Sequence, residues 1–336
     1  MTFFIRCLIA AYGFLTISEV SHASEETLSY LFSERKSDRS GIRTNVLIVL
    51  KDNKIVYEKY ADGFSSHKPY LLWSMSKSFT NVLMGIAHQE SLLALDDVIF
   101  SSDSSEIKFR DAIGWSSCLD WSETYEFNPI YSSVIRMLYS TGRDDMFSFV
   151  KNHKLRCQPG SAVEYSSGDS LLLMGYLKQK LSDEEYSQYP WKKLFDPLGM
   201  KSAVWEKDSK GVFVGSSFLY LSPQDLVIFS NWLLSQYAEG ELRAWLREST
   251  KLSPAFDRKV KERGLWPAAH WWVNGDSQSK RFADLPTDLF AALGHWGQSL
   301  TFIPSKNMAI LRLADDRESG VFDYELMVNS ILREFP

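Results

Sequence analysis

Trp73-Ser-Met-Ser-Lys-Ser-Phe-Thr-Asn-Val-Leu-Met-Gly-Ile-Ala87 sets a serine and a lysine three residues apart at the opening of a helical pattern. Residues at that spacing are neighbours on a helix, so the Ser74 hydroxyl and the Lys77 amine share a face. Asn81 falls on the same face, while Met75, Phe79, Val82 and Ile86 form an apolar stripe to one side. The expectation is a helix buried along its stripe that presents hydroxyl and amine to a cleft. Its start supplies a positive dipole end and free backbone N–H groups, which favour negative charge developing near Ser74. Burial depresses a lysine pKa and would ready Lys77 to take the serine proton, alone or through a tyrosine. Alone, S-x-x-K equally describes a plain N-cap serine followed by an exposed lysine.

Outward from this helix, the chain begins and ends in strands. Asn45-Val-Leu-Ile-Val-Leu50 and Ile55-Val-Tyr-Glu-Lys-Tyr60 flank the polar turn Lys51–Lys54, with period-two alternation that predicts a β-hairpin. Ser299–Ile303 and Met308–Leu313 flank a second turn, Pro304–Asn307. Val321 to Phe335 has helical character, with Leu326, Met327 and Ile331 on one side. Helical patterns fill the middle, broken at Gly114, Pro129, Gly142, Pro159-Gly160 and Pro197–Gly199. The predicted fold is α/β: an antiparallel sheet flanked by helices, with an inserted mainly helical domain. The sheet domain takes residues 24–72 and 215–336; the helical domain takes 73–214 and carries the nucleophile at the interface.

Two further segments add chemistry. Val163-Glu-Tyr-Ser-Ser-Gly-Asp-Ser170 precedes an apolar helix and would let the Tyr165 phenol enter a cleft; the plain alternative is a half-buried loop tyrosine. Leu293-Gly-His-Trp-Gly-Gln298 leads into a strand. Its glycines permit close backbone approach, and the Gln298 N–H would complete an oxyanion hole with that of Ser74. A histidine at that place, His295, is also a common structural element.

Bulk properties bound the partners and the compartment. In 336 residues, 45% are hydrophobic, enough for a large core, and the net charge is −5. With no dense basic run, nucleic-acid binding is not expected; Arg35-Lys36 and Lys192-Lys193 read as solvated faces. Arg6, the short apolar run Cys7–Ile17 and the small residues of Ser21-His-Ala23 read as an export signal over residues 1–23, against the alternative of a buried first helix. No other run is long enough to span a membrane, so an exported, periplasmic or secreted chain is expected. Cleavage would leave Cys118 and Cys157, either a disulfide suited to an oxidising compartment or two buried thiols. Scattered histidines and the absence of C-x-x-C or H-E-x-x-H argue against a metal, and no cofactor is expected. Of the 11 tryptophans, Trp73 and Trp296 adjoin the motifs and suggest an aromatic cleft, while Trp191, Trp205 and Trp245 read as core.

Together, Trp73-Ser-Met-Ser-Lys-Ser78, Leu119-Asp-Trp121, Tyr165-Ser-Ser-Gly-Asp-Ser170 and Gly294-His-Trp-Gly-Gln298 resemble the serine β-lactamase and penicillin-binding family. The closest likeness is to the branch of class C β-lactamases, β-lactamase-fold esterases and 6-aminohexanoate-dimer hydrolases. The resemblance implies catalysis by Ser74, Lys77, Tyr165 and His295, with His295 orienting Tyr165. It also implies substrate or oxyanion contacts from Gln298, Gly297, Ser167, Trp296, Trp73 and Asn81. Ser167 stands where that family usually has Asn, and His295-Trp296-Gly297 stands where it has Lys-Thr-Gly. A largely neutral histidine and a tryptophan are poor holders of a β-lactam carboxylate. The implied activity is hydrolysis of a small or peptide-like ester or amide through an acyl-enzyme. The alternative is a binding or sensor protein on the same scaffold that deacylates poorly. Oligomeric state is not legible.

Overall fold

The computed structural model describes residues 22–32, 36–101, 105–125, 129–257, 264–276 and 278–336. Seven strands build one sheet: β1 (Thr44–Lys51), β2 (Lys54–Tyr60), β3 (Trp266–Pro267), β4 (Trp272–Val273), β5 (Phe290–Gly294), β6 (Gln298–Ile303) and β7 (Met308–Ala314). Their order is β2-β1-β7-β6-β5-β4-β3, and every neighbouring pair is antiparallel. The two hairpins expected from the sequence, β1–β2 and β6–β7, join through β1 and β7, with β2 at one edge of the sheet. Asp52 and Asn53 both have positive φ, at 52° and 62°, the backbone hand that matches a two-residue hairpin turn to strand twist. Strands β3 to β5 were not anticipated. Two of them hold only two residues each, too short to show a period.

Burial on both faces explains the near-continuous apolar run of β1. Val46, Ile48 and Leu50 point to one side with Leu311 and Leu313 of β7. Leu47 and Val49 point to the other with Met308 and Ile310. Each such side chain contributes roughly 1.5–3 kcal/mol when fully buried. The second face is covered by α1 (His22–Leu28) and the last helix, α5 (Tyr324–Glu334). On α5, Met327, Val328 and Ile331 face inward, whereas Leu326, expected inward, is 45% exposed. At about 100° per residue, Leu326 cannot share the face that Val328 and Ile331 define.

Against the first face lie α2 (Ser76–Gln89) and α4 (Pro223–Glu239), and α3 (Ser167–Gln179) packs on α2. Phe79 of α2 stacks on Phe229 of α4 at 4.2 Å. The helical segment and this sheet face share one continuous apolar core. Helix α2 is therefore enclosed nearly all round, with Ser76 through Gly85 buried, and does not have the open polar face expected of it. Cys118 and Cys157 are disulfide-bonded. Beside them Leu119 pairs with Leu155, and Arg156 N–H donates to the Cys118 carbonyl at 2.9 Å. The expected export signal falls on residues outside those described, apart from His22 and Ala23, which open α1. Among the described residues no helix is long and apolar enough to cross a membrane.

Candidate active site

A single 3₁₀ turn, Trp73–Met75, carries Ser74 directly into α2. One helical turn on, Lys77 is 1% exposed, and its Nζ donates to Ser74 Oγ and to the Ser216 carbonyl, both at 3.1 Å. Thr80 Oγ1 donates to the Gly215 carbonyl at 2.8 Å, so two side chains of α2 fix the segment that supplies this second acceptor. Burial pushes Lys77 down to about 8, and the Glu123 carboxylate nearby works against that fall. The amine that faces Ser74 is thus unusually ready to lose its proton.

Tyr165 comes from the turn before α3. Ser166 caps that helix, its Oγ accepting from the Asp169 N–H at 3.3 Å. The Tyr165 ring lies 4.7 Å from Lys77 Nζ and packs against Trp115 at 4.9 Å and Trp272 at 5.3 Å. Its phenol stands near Ser74. Burial, aided by the Glu123 charge, raises that phenol well above its ordinary value, so it keeps its proton at neutral pH. Trp115 in turn stacks on His270 at 5.0 Å. The Ile113 carbonyl can only accept, so His270 Nδ1 donates to it at 2.9 Å and Nε2 accepts from Ser170 Oγ, also at 2.9 Å. Burial pushes His270 down to about 3 and keeps it neutral.

Glu123 is the residue of this site that the sequence did not reveal. Its carboxylate lies 3.9 Å from Lys77 Nζ. It accepts from the Ser167 N–H at 3.0 Å, from the Ser167 hydroxyl, and from Trp121 Nε1 at 2.6 Å. Glu123 sits in irregular backbone where no periodicity marks it. Its one signal is its place two residues after Trp121.

The third segment approaches from the sheet. Gly294 ends β5 so close to the serine turn that a Cβ there would lie 2.5 Å from the Leu72 carbonyl. Gln298 opens β6 and donates from Nε2 to the Leu71 carbonyl at 2.9 Å. Between them, Gly297 takes φ +80°, and a Cβ would meet Asp316 Oδ2 at 2.2 Å. The turn is held from behind by a fully buried ion pair. Arg312 binds Asp316 through two nitrogens at 2.8 and 3.1 Å, Thr44 Oγ1 at 2.9 Å, and the Gly297 carbonyl at 2.7 Å. The Asp316 N–H donates to the Trp296 carbonyl at 3.1 Å.

The His295 ring packs against Trp73 at 5.8 Å, Tyr125 at 5.2 Å and Trp296 at 4.7 Å. Trp73 and Trp296 meet edge to face at 5.2 Å, and both have positive φ, at 50° and 60°. That backbone region is rare for bulky residues and costs on the order of 1–3 kcal/mol each, strain that collects at functional sites. An open cleft of about 410 Å³ adjoins these rings, lined by Tyr125, His295, Trp296, Arg317 and Phe322 among others.

Ser74, Lys77 and Tyr165 therefore meet, and Trp73, His295, Trp296, Gly297 and Gln298 stand beside them. Two expected substrate contacts are corrected. Asn81 is fully buried: its amide donates to Ser249 Oγ and the Ala269 carbonyl, and its oxygen accepts from Trp245 and Trp271. With every polar atom engaged in the core, it has nothing to offer a ligand. Ser167 commits both its hydroxyl and its N–H to Glu123. The packing also gives Tyr165 other supports than the histidine expected to orient it, since Trp115 and Trp272 form its bed.

The family model described as Beta-lactamase matches residues 32–327. A curated protein of Escherichia coli K12, described as "Putative D-alanyl-D-alanine carboxypeptidase", is 27% identical, covering 82% of this chain and 79% of its own. A solved structure titled "Putative 6-aminohexanoate-dimer hydrolase from Bacillus anthracis" superposes with a TM-score of 0.68 at 14% identity, over 87% of this chain and 78% of that one. The octameric penicillin-binding protein homologue from Pyrococcus abyssi does so with a TM-score of 0.68 at 16% identity, over 92% and 77%.

Proposed function

The chain belongs to the beta-lactamase family of hydrolases, and from that premise we propose that it cleaves a small ester or amide through an acyl-enzyme on Ser74. The observation that carries this is the Lys77 amine, fully buried, 3.1 Å from the Ser74 hydroxyl and pushed down to about 8. As Ser74 Oγ bonds to the substrate carbonyl carbon, its proton passes to neutral Lys77 and the carbonyl electrons move onto oxygen. The backbone N–H groups of Ser74 and Gln298 face that oxyanion. Tyr165, a phenol that holds its proton, gives it to the leaving group and recovers one from Lys77. Water then releases the acyl group by the reverse proton path.

The aromatic wall of Trp73, His295, Trp296 and Tyr125 favours a substrate with an apolar portion beside its scissile bond. The E. coli relative adds a D-alanyl peptide as a candidate to assay. Export fits the N-terminal pattern and the Cys118–Cys157 bond, since such bonds persist in oxidising compartments.

Mass spectrometry after treatment with a fluorophosphonate tests the nucleophile: the adduct is expected on Ser74, and an unmodified Ser74 would end the proposal. Steady-state hydrolysis of a short p-nitrophenyl ester, with a D-alanyl-D-alanine peptide in parallel, separates turnover from a single burst. The pH dependence carries a definite sign. Lys77 accepts a proton only when neutral, so kcat/KM should rise with pH through a midpoint near 8, the value to which burial brings that amine. A rate that is flat between pH 6 and pH 9 would remove Lys77 as the base.

A further inference from the structure

We propose that Glu123 is a positioning residue that acts through Lys77, holding the ammonium formed when Ser74 gives up its proton. The inference rests on the Ser74–Lys77 reading above and deepens it.

The geometry fits a fixed counter-charge better than a substrate contact. Glu123 is bound by three donors, the Ser167 N–H, the Ser167 hydroxyl and Trp121 Nε1, which leaves it little freedom to follow a ligand. It stands 3.9 Å from Lys77 Nζ, and its side chain is 14% exposed. In the resting site the amine is held by Ser74 Oγ and the Ser216 carbonyl, both uncharged. When the proton moves, a full positive charge appears on an amine that is almost wholly buried. The nearest charge of opposite sign is then already in place, oriented by bonds that need not reorganise during the step. This accounts for why a serine hydroxyl that looked free to bind substrate is turned onto a carboxylate instead.

The other titratable groups around Lys77 do not supply this charge. Tyr165 keeps its proton, its phenol raised by burial. His270 is neutral, lowered by burial. Asp169, behind Glu123, is fully enclosed, and burial raises its carboxyl well above the usual carboxylate range.

The test is the pH–rate profile of Glu123→Gln and Glu123→Asp against wild type, with Ser74 labelling of each. Gln keeps the shape and can still accept from Trp121 and the Ser167 N–H, but it carries no charge. The rising limb should move to lower pH by about one unit or more, because an opposite charge near an amine raises its pKa by roughly that amount. The plateau of kcat/KM should fall by about tenfold or more, since the ammonium in the transition state loses its partner. Asp keeps the charge at longer range and should give an intermediate midpoint, which preserves the test should the Gln variant fold poorly. A role in packing alone would lower activity without moving the limb. Superimposable profiles for all three proteins, with Ser74 labelled in each, would overturn the proposal while leaving Ser74 as nucleophile. Failure to label wild type would overturn the underlying reading instead.

Discussion

Replacing Ser74 with alanine should lower kcat by about 10⁴-fold or more and abolish fluorophosphonate labelling, while the melting temperature stays close to that of wild type. The size follows from the chemistry: without the hydroxyl no acyl-enzyme forms, and what remains is oxyanion stabilisation and binding alone. The stability forecast follows from the location. Ser74 Oγ accepts one hydrogen bond, from Lys77, which retains its bond to the Ser216 carbonyl. Thermal denaturation and steady-state ester hydrolysis on the same preparation check both halves, and near-normal turnover by the alanine variant would exclude the mechanism.

The largest effect on stability is expected behind the site, at Arg312. Its guanidinium is 0% exposed and serves Asp316, Thr44 and the Gly297 carbonyl at once. Arg312→Met leaves the Asp316 carboxylate buried without its partner, which costs about 3–5 kcal/mol. A fall in melting temperature on the order of 10 °C is the corresponding reading in a thermal scan. Pairing that change with Asp316→Leu removes the stranded charge as well and should recover part of the loss. If the double variant melts no higher than Arg312→Met, the ion-pair explanation is wrong. Activity should stay reduced in both, since the pair also fixes the turn that presents His295 and Trp296.

Much of this architecture was legible before any coordinates, and the reasons are local. Alternating apolar residues in 45–60 and 299–313, with Asp-Asn and Pro-Ser-Lys-Asn between them, specify hairpins whose register depends on few distant contacts. The Ser74–Lys77 spacing is itself a helical distance, so adjacency follows from the backbone alone. What the chain did not disclose depends on several segments meeting. Asn81 shares a helical face with Ser74 and Lys77, yet Trp245 and Trp271 close over it, and nothing near residue 81 announces their approach. Ser167 was assigned by its place beside Tyr165, but its partner Glu123 lies in a distant loop. Arg312 is a single charge within an apolar strand, and nothing adjacent to it in the sequence announces that it is buried. Its partner is four residues on, past the end of β7.

The link between Cys118 and Cys157 bears on how the site comes together. Cys118 lies shortly before Glu123, and Cys157 shortly before Tyr165. Once oxidised, the chain carries these two Lys77-facing groups as arms of one covalent junction, and the long excursion between them becomes a side loop. Bringing the second group to the lysine after the first then requires only a local search. A reducing environment would cut that shortcut without touching any reacting atom, and would be felt first as slower recovery of activity after unfolding.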